Sequence, residues 1–186
     1  FIPREQLRVY ESTNSDNADR LRETLEDADF VFIHDPQPAP LLDLIPKRRG
    51  KWVWRCHIDV SSPDRHVWKY LRRFVGGYDA SIFSLAAFSQ ELPHTQYVIP
   101  PSIDPLAEKN IPLEDSEIRA VCGEFGLDGD REMVVQVSRY DRFKDPVGVI
   151  AAYRLAKKFS PGLQLVLAGG GATDDPEGEA VLAETK

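Results

Sequence analysis

The chain has 186 residues, 42% of them hydrophobic and 10% aromatic, which is enough apolar material for a packed core and excludes disorder as a whole-chain state. Thirty acidic against 23 basic residues leave a net charge of −7, which disfavours a broad nucleic-acid surface because duplex binding rests on neutralising phosphates; any phosphate is expected to be held locally. No apolar run approaches the ~20 residues that cross a bilayer and no signal peptide is visible, so a cytoplasmic location without a membrane partner is the expectation.

In chain order, Ala18, Leu21 and Leu25 recur at helical spacing behind Asn14, Ser15 and Asp16, any of which could cap a first turn. The run 29–33 is continuously apolar, which suits a strand of a parallel sheet covered on both faces, and Pro36 stops it. A second strand is expected over 52–58. A helix follows over 63–74 with Val67, Tyr70, Leu71 and Phe74 on one face and Gly76-Gly77 at its end. Two further strands are expected over 80–84 and 96–99, and Pro100 and Pro101 close the second. Four prolines between 100 and 112 mark an extended connection, so residues 1–104 and 105–186 are expected to belong to different domains.

Beyond the connection, Asp115 or Ser116 is expected to cap a helix with Ile118, Val121 and Phe125 on its apolar stripe and Gly126 as terminator. A strand over 133–137 with Met133 buried, a helix over 146–159 and a strand over 163–168 complete the series. The helix carries Val149, Ala152, Tyr153 and Ala156 on one face. Alternation of strand and helix throughout predicts an α/β fold of doubly wound parallel sheets.

Three constellations could carry chemistry. Residues 138–145 leave a strand and enter a helix whose first turn accepts Pro146. Arg139 and Lys144 bracket this loop, so a forked guanidinium and a point-like ammonium could grip a diphosphate beside a positive helix end. Loop charges simply paired with Asp141 and Asp145 are the alternative. Next, Gly169, Gly170 and Gly171 follow a strand and would let backbone N–H groups approach a phosphate, or would merely make a tight turn. No Walker spacing accompanies them, and the acidic Asp174, Asp175, Glu177 and Glu179 suit a solvated face better than a cation site.

The third constellation is His34 with Asp35 and His57 with Asp59, both at strand carboxyl ends, which converge on one crevice in this class of fold. A histidine and a carboxylate there could bind sugar hydroxyls or stabilise partial charge; a histidine satisfied by backbone in a turn is the alternative. Zinc is not expected at Cys56, His57 and Asp59, since strand alternation points Cys56 and His57 to opposite faces and no second ligand cluster exists. Cys56 and Cys122 are expected to be reduced core residues. A serine hydrolase lacks its Gly-x-Ser-x-Gly elbow.

Taken together and in order, the segments 32–38, 54–59, 98–104 and 137–146 resemble the retaining, metal-independent glycosyltransferases of GT-B architecture, which carry two Rossmann-like domains. The resemblance implies that Arg139, Lys144 and Gly170 hold the diphosphate of a nucleotide-sugar donor. It also implies that His57 and Asp35 are catalytic, with His57 beside the donor sugar, and that Asp35 and Gln37 bind a small sugar acceptor. No cofactor and no metal are implied. One member of the family, to which the match is close, joins a nucleoside-diphosphate glucose to glucose, forming trehalose with the anomeric configuration kept. By the same resemblance, 1–104 is the rear of the acceptor domain and 105–186 is linker plus the front of the donor domain.

Departures stand at Pro101-Ser102, where the family has Asn-Gly, and at His57-Ile58, where it has His-Gly. The family's glycine-rich acceptor loop and its two late glutamates are not among these residues, and the first residue is Phe1. The expectation is therefore an internal segment, inactive alone, whose exposed sheet edges could drive homodimerisation. A nucleotide-sugar epimerase of the same architecture and a non-catalytic nucleotide-sugar-binding module are the competing functions.

Overall fold

The computed structural model describes residues 2–170 and 176–186. The chain divides into two compact units, Phe1–Asp104 and Pro105–Lys186.

The first unit runs α1 (Arg4–Asp27), β1 (Phe30–His34), α2 (Leu41–Leu44), β2 (Lys51–Cys56), α3 (Arg65–Val75), β3 (Ala80–Phe83) and β4 (Thr95–Val98). Its four strands are all parallel, in the order β1-β2-β3-β4. Register pairs Val31 with Trp52 and Ile33 with Trp54, and these four side chains form the middle of the core. Ala18 and Leu25 of α1, Leu41 and Leu42 of α2, and Trp68, Phe74 and Val75 of α3 pack against them. All the helices thus cover one face of the sheet.

That arrangement corrects the expectation of strands buried on both sides. Burial along β1 alternates, with Val31 and Ile33 inside while Phe30 and Phe32 stay 67% and 52% exposed on the other face. Alternation of strand and helix also fails at one place. Between β3 and β4 stands a short 3-10 turn, Ala86–Phe88, with no α-helix. Strand order runs in one direction, so the reversal that defines a doubly wound sheet is not found among the described residues.

Helix boundaries shift for identifiable reasons. α1 begins directly after Pro3, and Asn14, expected near its cap, is buried in mid-helix. Its amide donates to Tyr10 O one turn back and to Gln37 O across the loop, so a polar side chain is satisfied within the helix. Leu21, expected on the packed stripe, is 43% exposed. α3 starts two residues later than expected because Asp64 caps it, accepting from the N–H groups of Val67 and His66, and these bonds hold its carboxyl below the usual range. Its buried face is turned by one residue, with Trp68 and Val75 inward and Val67 40% exposed.

The last strand of this unit is fastened beyond its end. Ile99 donates its N–H to Phe83 O at 2.9 Å, and its carbonyl accepts from Arg55 Nη1 at 2.8 Å. Arg55 is 8% exposed and also reaches Ser84 Oγ at 3.3 Å.

The second unit runs α4 (Asp115–Glu124), β5 (Met133–Val137), α5 (Pro146–Ala156), β6 (Gln164–Ala168) and α6 (Pro176–Glu184), with β5 and β6 parallel. α4 is capped by Glu114 in a reciprocal box with Glu117, one residue before the expected cap, and it ends as expected where Gly126 takes φ 66°. Its stripe does not pack: Ile118, Val121 and Phe125 are 46%, 50% and 70% exposed. Met133, expected inside, is half-buried, and on α5 Ala152 and Ala156 are exposed while Tyr153 is half-buried. A 3-10 turn, Glu108–Asn110, breaks the extended connection. Among the described residues, no helix is long and apolar enough to cross a membrane.

Candidate functional site

Two strand ends gather the residues singled out by sequence, one in each unit. In the first, Asp35 follows β1 with φ 66°, a left-handed conformation that costs a residue bearing a Cβ about 1 kcal/mol. Three bonds to the end of β2 hold it there. Its N–H donates to Arg55 O at 2.8 Å, its carbonyl accepts from Trp54 Nε1 at 3.0 Å, and its Oδ1 accepts from the His57 N–H at 2.8 Å. Because Trp54 is wholly buried, the indole makes this anchor part of the core. Oδ2 makes no bond among the described residues.

His34 closes β1 and His57 comes directly after β2, so parallel pairing brings the rings together. Nδ1 of His34 lies 2.8 Å from Nε2 of His57, with the rings stacked at 5.0 Å between centroids. One nitrogen donates and the other accepts. The two side chains therefore meet each other, while Asp35 holds the His57 backbone, and His57 Nδ1 makes no bond among the described residues. Cys56 turns inward; its thiol donates to Ile58 O at 3.5 Å, and burial pushes it up to about 11, away from metal or nucleophile chemistry. Asp59 instead accepts from the N–H of Ser61.

Gln37 falls on a neighbouring groove of about 350 Å³ that Tyr10, Pro36, Ile58, Tyr70 and Leu71 help to line, and neither Asp35 nor His57 lines it. Tyr10 donates its hydroxyl to Pro36 O and Asn14 its amide to Gln37 O, so α1 fixes the backbone just past Asp35. α3 carries a second groove of about 630 Å³ among Arg65, Lys69, Arg72 and Arg73.

In the second unit, β5 ends beside β6 through Ser138 N–H to Ala168 O at 3.1 Å, and a 3-10 turn, Arg142–Lys144, leads into α5. Asp145 stands at φ 46° and caps α5, accepting from Gly148 N at 3.0 Å, with Pro146 in the first turn. It is therefore not a counter-charge. Asp141 is, in part: its Oδ2 lies 3.4 Å from Arg139 Nη2. Lys144 makes no ion pair among the described residues, and Arg139 remains largely exposed.

The glycines divide. A Cβ on Gly169 would stand 1.8 Å from Ser138 O, so the chains here touch backbone to backbone, whereas nothing lies within 4 Å of a Cβ on Gly170. Gly171 through Asp175 lie outside the described residues. Glu177, expected on a solvated acidic face, is instead 3.5 Å from Arg142 Nε, and Glu184 takes the same guanidinium at 2.8 Å; these bonds hold the arginine firmly protonated. Sequence reasoning passed over Gln136, Arg142 and Arg55. For Gln136 and Arg55 a signal existed, since each is a polar residue inside an otherwise apolar strand.

The chain superimposes with a TM-score of 0.75 on an E. coli structure described as trehalose-6-phosphate bound with UDP-2-fluoro glucose, at 17% identity over 99% of this chain and 48% of that one. It superimposes equally, at 0.75, on an alpha,alpha-trehalose-phosphate synthase (UDP-forming) from Burkholderia xenovorans in complex with glucose-6-phosphate, at 15% identity over 100% and 49%. The fold is that of the GT-B glycosyltransferases.

Residues 1–90 match the family model for trehalose synthase, N-terminal domain. Over 186 residues the chain is 45% identical to a trehalose synthase of Pyrococcus horikoshii, covering 99% of this chain and 44% of that protein. The chain is thus similar to the trehalose synthases along nearly its whole length, and it spans less than half the length of the curated relatives it matches.

Proposed function

We propose that the protein containing this chain transfers glucose, with retention, from a nucleoside-diphosphate glucose to free glucose, forming trehalose and a nucleoside diphosphate. The observation that carries the reading is the loop after β5. There the ammonium of Lys144, without an ion pair among the described residues, and the exposed guanidinium of Arg139 belong to the loop that leads into the amino end of α5, and a helix amino end favours departing phosphate charge. The likeness of the chain to the trehalose synthases supports the choice of product.

In this reading the bond from the anomeric carbon to the phosphate oxygen breaks, and its electron pair leaves with the diphosphate. Arg139 and Lys144 accept that charge, with backbone N–H groups at Gly170 beside them, so the proposed reaction needs no metal ion. The acceptor hydroxyl bonds to the same face of the carbon and passes its proton to the departing phosphate oxygen. Asp35 Oδ2 binds the acceptor's hydroxyls with Gln37 nearby, and His57 Nδ1 donates to the donor sugar, held in place by His34.

The test uses the full-length protein with labelled UDP- or ADP-glucose and glucose, with and without a chelator. Chelator-insensitive trehalose formation is the expected result. An altered sugar epimer made without acceptor, or bound nucleotide-sugar with no turnover, sinks the proposal.

A further inference from the structure

Within the loop after β5, one side chain behaves unlike its neighbours. Arg139 and Arg142 are 65% and 60% exposed along their side chains and Phe143 is 97% exposed, yet Asp141 is only 5% exposed. A carboxylate buried to that degree needs a partner for each oxygen. Its Oδ1 accepts from the Lys144 N–H at 2.9 Å, and its Oδ2 faces Arg139 Nη2 at 3.4 Å. One oxygen thus holds the backbone of Lys144 and the other faces the guanidinium of Arg139, the two residues assigned to the diphosphate.

The opposite side of Lys144 is fixed as well. Its carbonyl accepts from Gln136 Nε2 at 2.7 Å, the longest-reaching polar side chain of β5. The lysine backbone is therefore bonded at both N–H and C=O by side chains, while its ammonium is left free. Arg139 gives one nitrogen of its fork to Asp141 and keeps the rest for a ligand.

We propose that Asp141 and Gln136 are positioning residues: a two-sided brace that aims Arg139 and Lys144 at the donor's diphosphate without touching it. This rests on the diphosphate role proposed above. Phe143, the phenylalanine of this loop, is exposed and does not pack to hold it, and a preorganised cation stabilises developing charge at no cost of reorientation.

Double-mutant cycles in the full-length protein test it, with UDP and ADP affinity read by calorimetry and melting temperature read alongside. Asp141→Asn keeps the shape and the bond to Lys144 N–H but removes the charge facing Arg139. It should weaken nucleotide binding about fivefold when Arg139 is present and less than about twofold in the Arg139→Ala background. Gln136→Leu should likewise weaken binding with Lys144 present and have little effect in the Lys144→Ala background. Equal losses in both backgrounds, or none, overturn the brace, whichever pair folds well enough to be measured. If Arg139→Ala and Lys144→Ala leave affinity unchanged, the diphosphate site itself is wrong; if they weaken it and the cycles show no coupling, only the brace fails.

Discussion

The two strand ends solve one problem by different means. After β1, Asp35 is pinned by the core, since its carbonyl takes the indole N–H of Trp54, which is wholly buried among side chains of three helices. After β5, the described buried apolar residues of the second unit are few, Leu163 and Val181, and the loop is held by polar side chains instead: Asp141, Gln136 and the Arg142 pair with Glu184. Burial is non-directional and collective, whereas hydrogen bonds are directional and separable. The first site should therefore fail together with its unit, and the second should fail one contact at a time.

The largest expected effect breaks the first side of that contrast. Trp54→Ala removes a buried indole and the anchor of Asp35, and it should destabilise the protein by about 3–5 kcal/mol in denaturant unfolding. Trp54→Phe, which keeps most of the packing but loses the N–H, separates the two contributions. Next come the two cations proposed to hold the diphosphate: Arg139→Ala or Lys144→Ala should lower turnover by roughly 100-fold with little change in melting temperature. A parallel loss of stability would make the second site as collective as the first.

Gly169→Ala should follow. Its Cβ meets a carbonyl oxygen that belongs to backbone and cannot swing away, so about 1–3 kcal/mol of stability should be lost along with nucleotide affinity. Gly170→Ala, with open space around it, should be nearly silent for stability. The smallest effect concerns pH. Burial holds His94 below its ordinary value, against the opposing pull of the Gly76 backbone and Asp79. The unfolded chain then binds more protons than the folded one, so stability is lost as pH falls through about 6.5, the unfolded value. His94→Gln should flatten that slope in urea midpoints measured between about pH 5 and about pH 7.5.

What was legible in sequence follows from which forces are local. Apolar runs located every strand to within two residues, and Gly126 ended α4 through its positive φ. The caps were less legible: Asn14 reads as a helix start until its second partner, Gln37 O, is known, and that partner lies 23 residues away. The same limit applies at the sites. Residue types placed Asp35, His57, Arg139 and Lys144 at strand ends, but the left-handed turn of Asp35 and the contact of His34 with His57 come from parallel pairing of β1 with β2. Asp141 looked like an ordinary counter-charge because burial cannot be read from a loop sequence. The exposed stripe of α4 shows the reverse error, where apolar periodicity exists without a packed partner among the described residues.

The fastening of Ile99 sets where the connecting segment acquires freedom. Both of its peptide groups are tied, the N–H to Phe83 and the carbonyl to the buried Arg55, so no torsion up to that point can turn independently of the sheet. The next two residues, Pro100 and Pro101, have their φ angles locked by their rings. A stiff spur thus projects from the sheet, and the first unrestrained φ along the connector belongs to Ser102, the position at which swivelling or proteolytic nicking can begin.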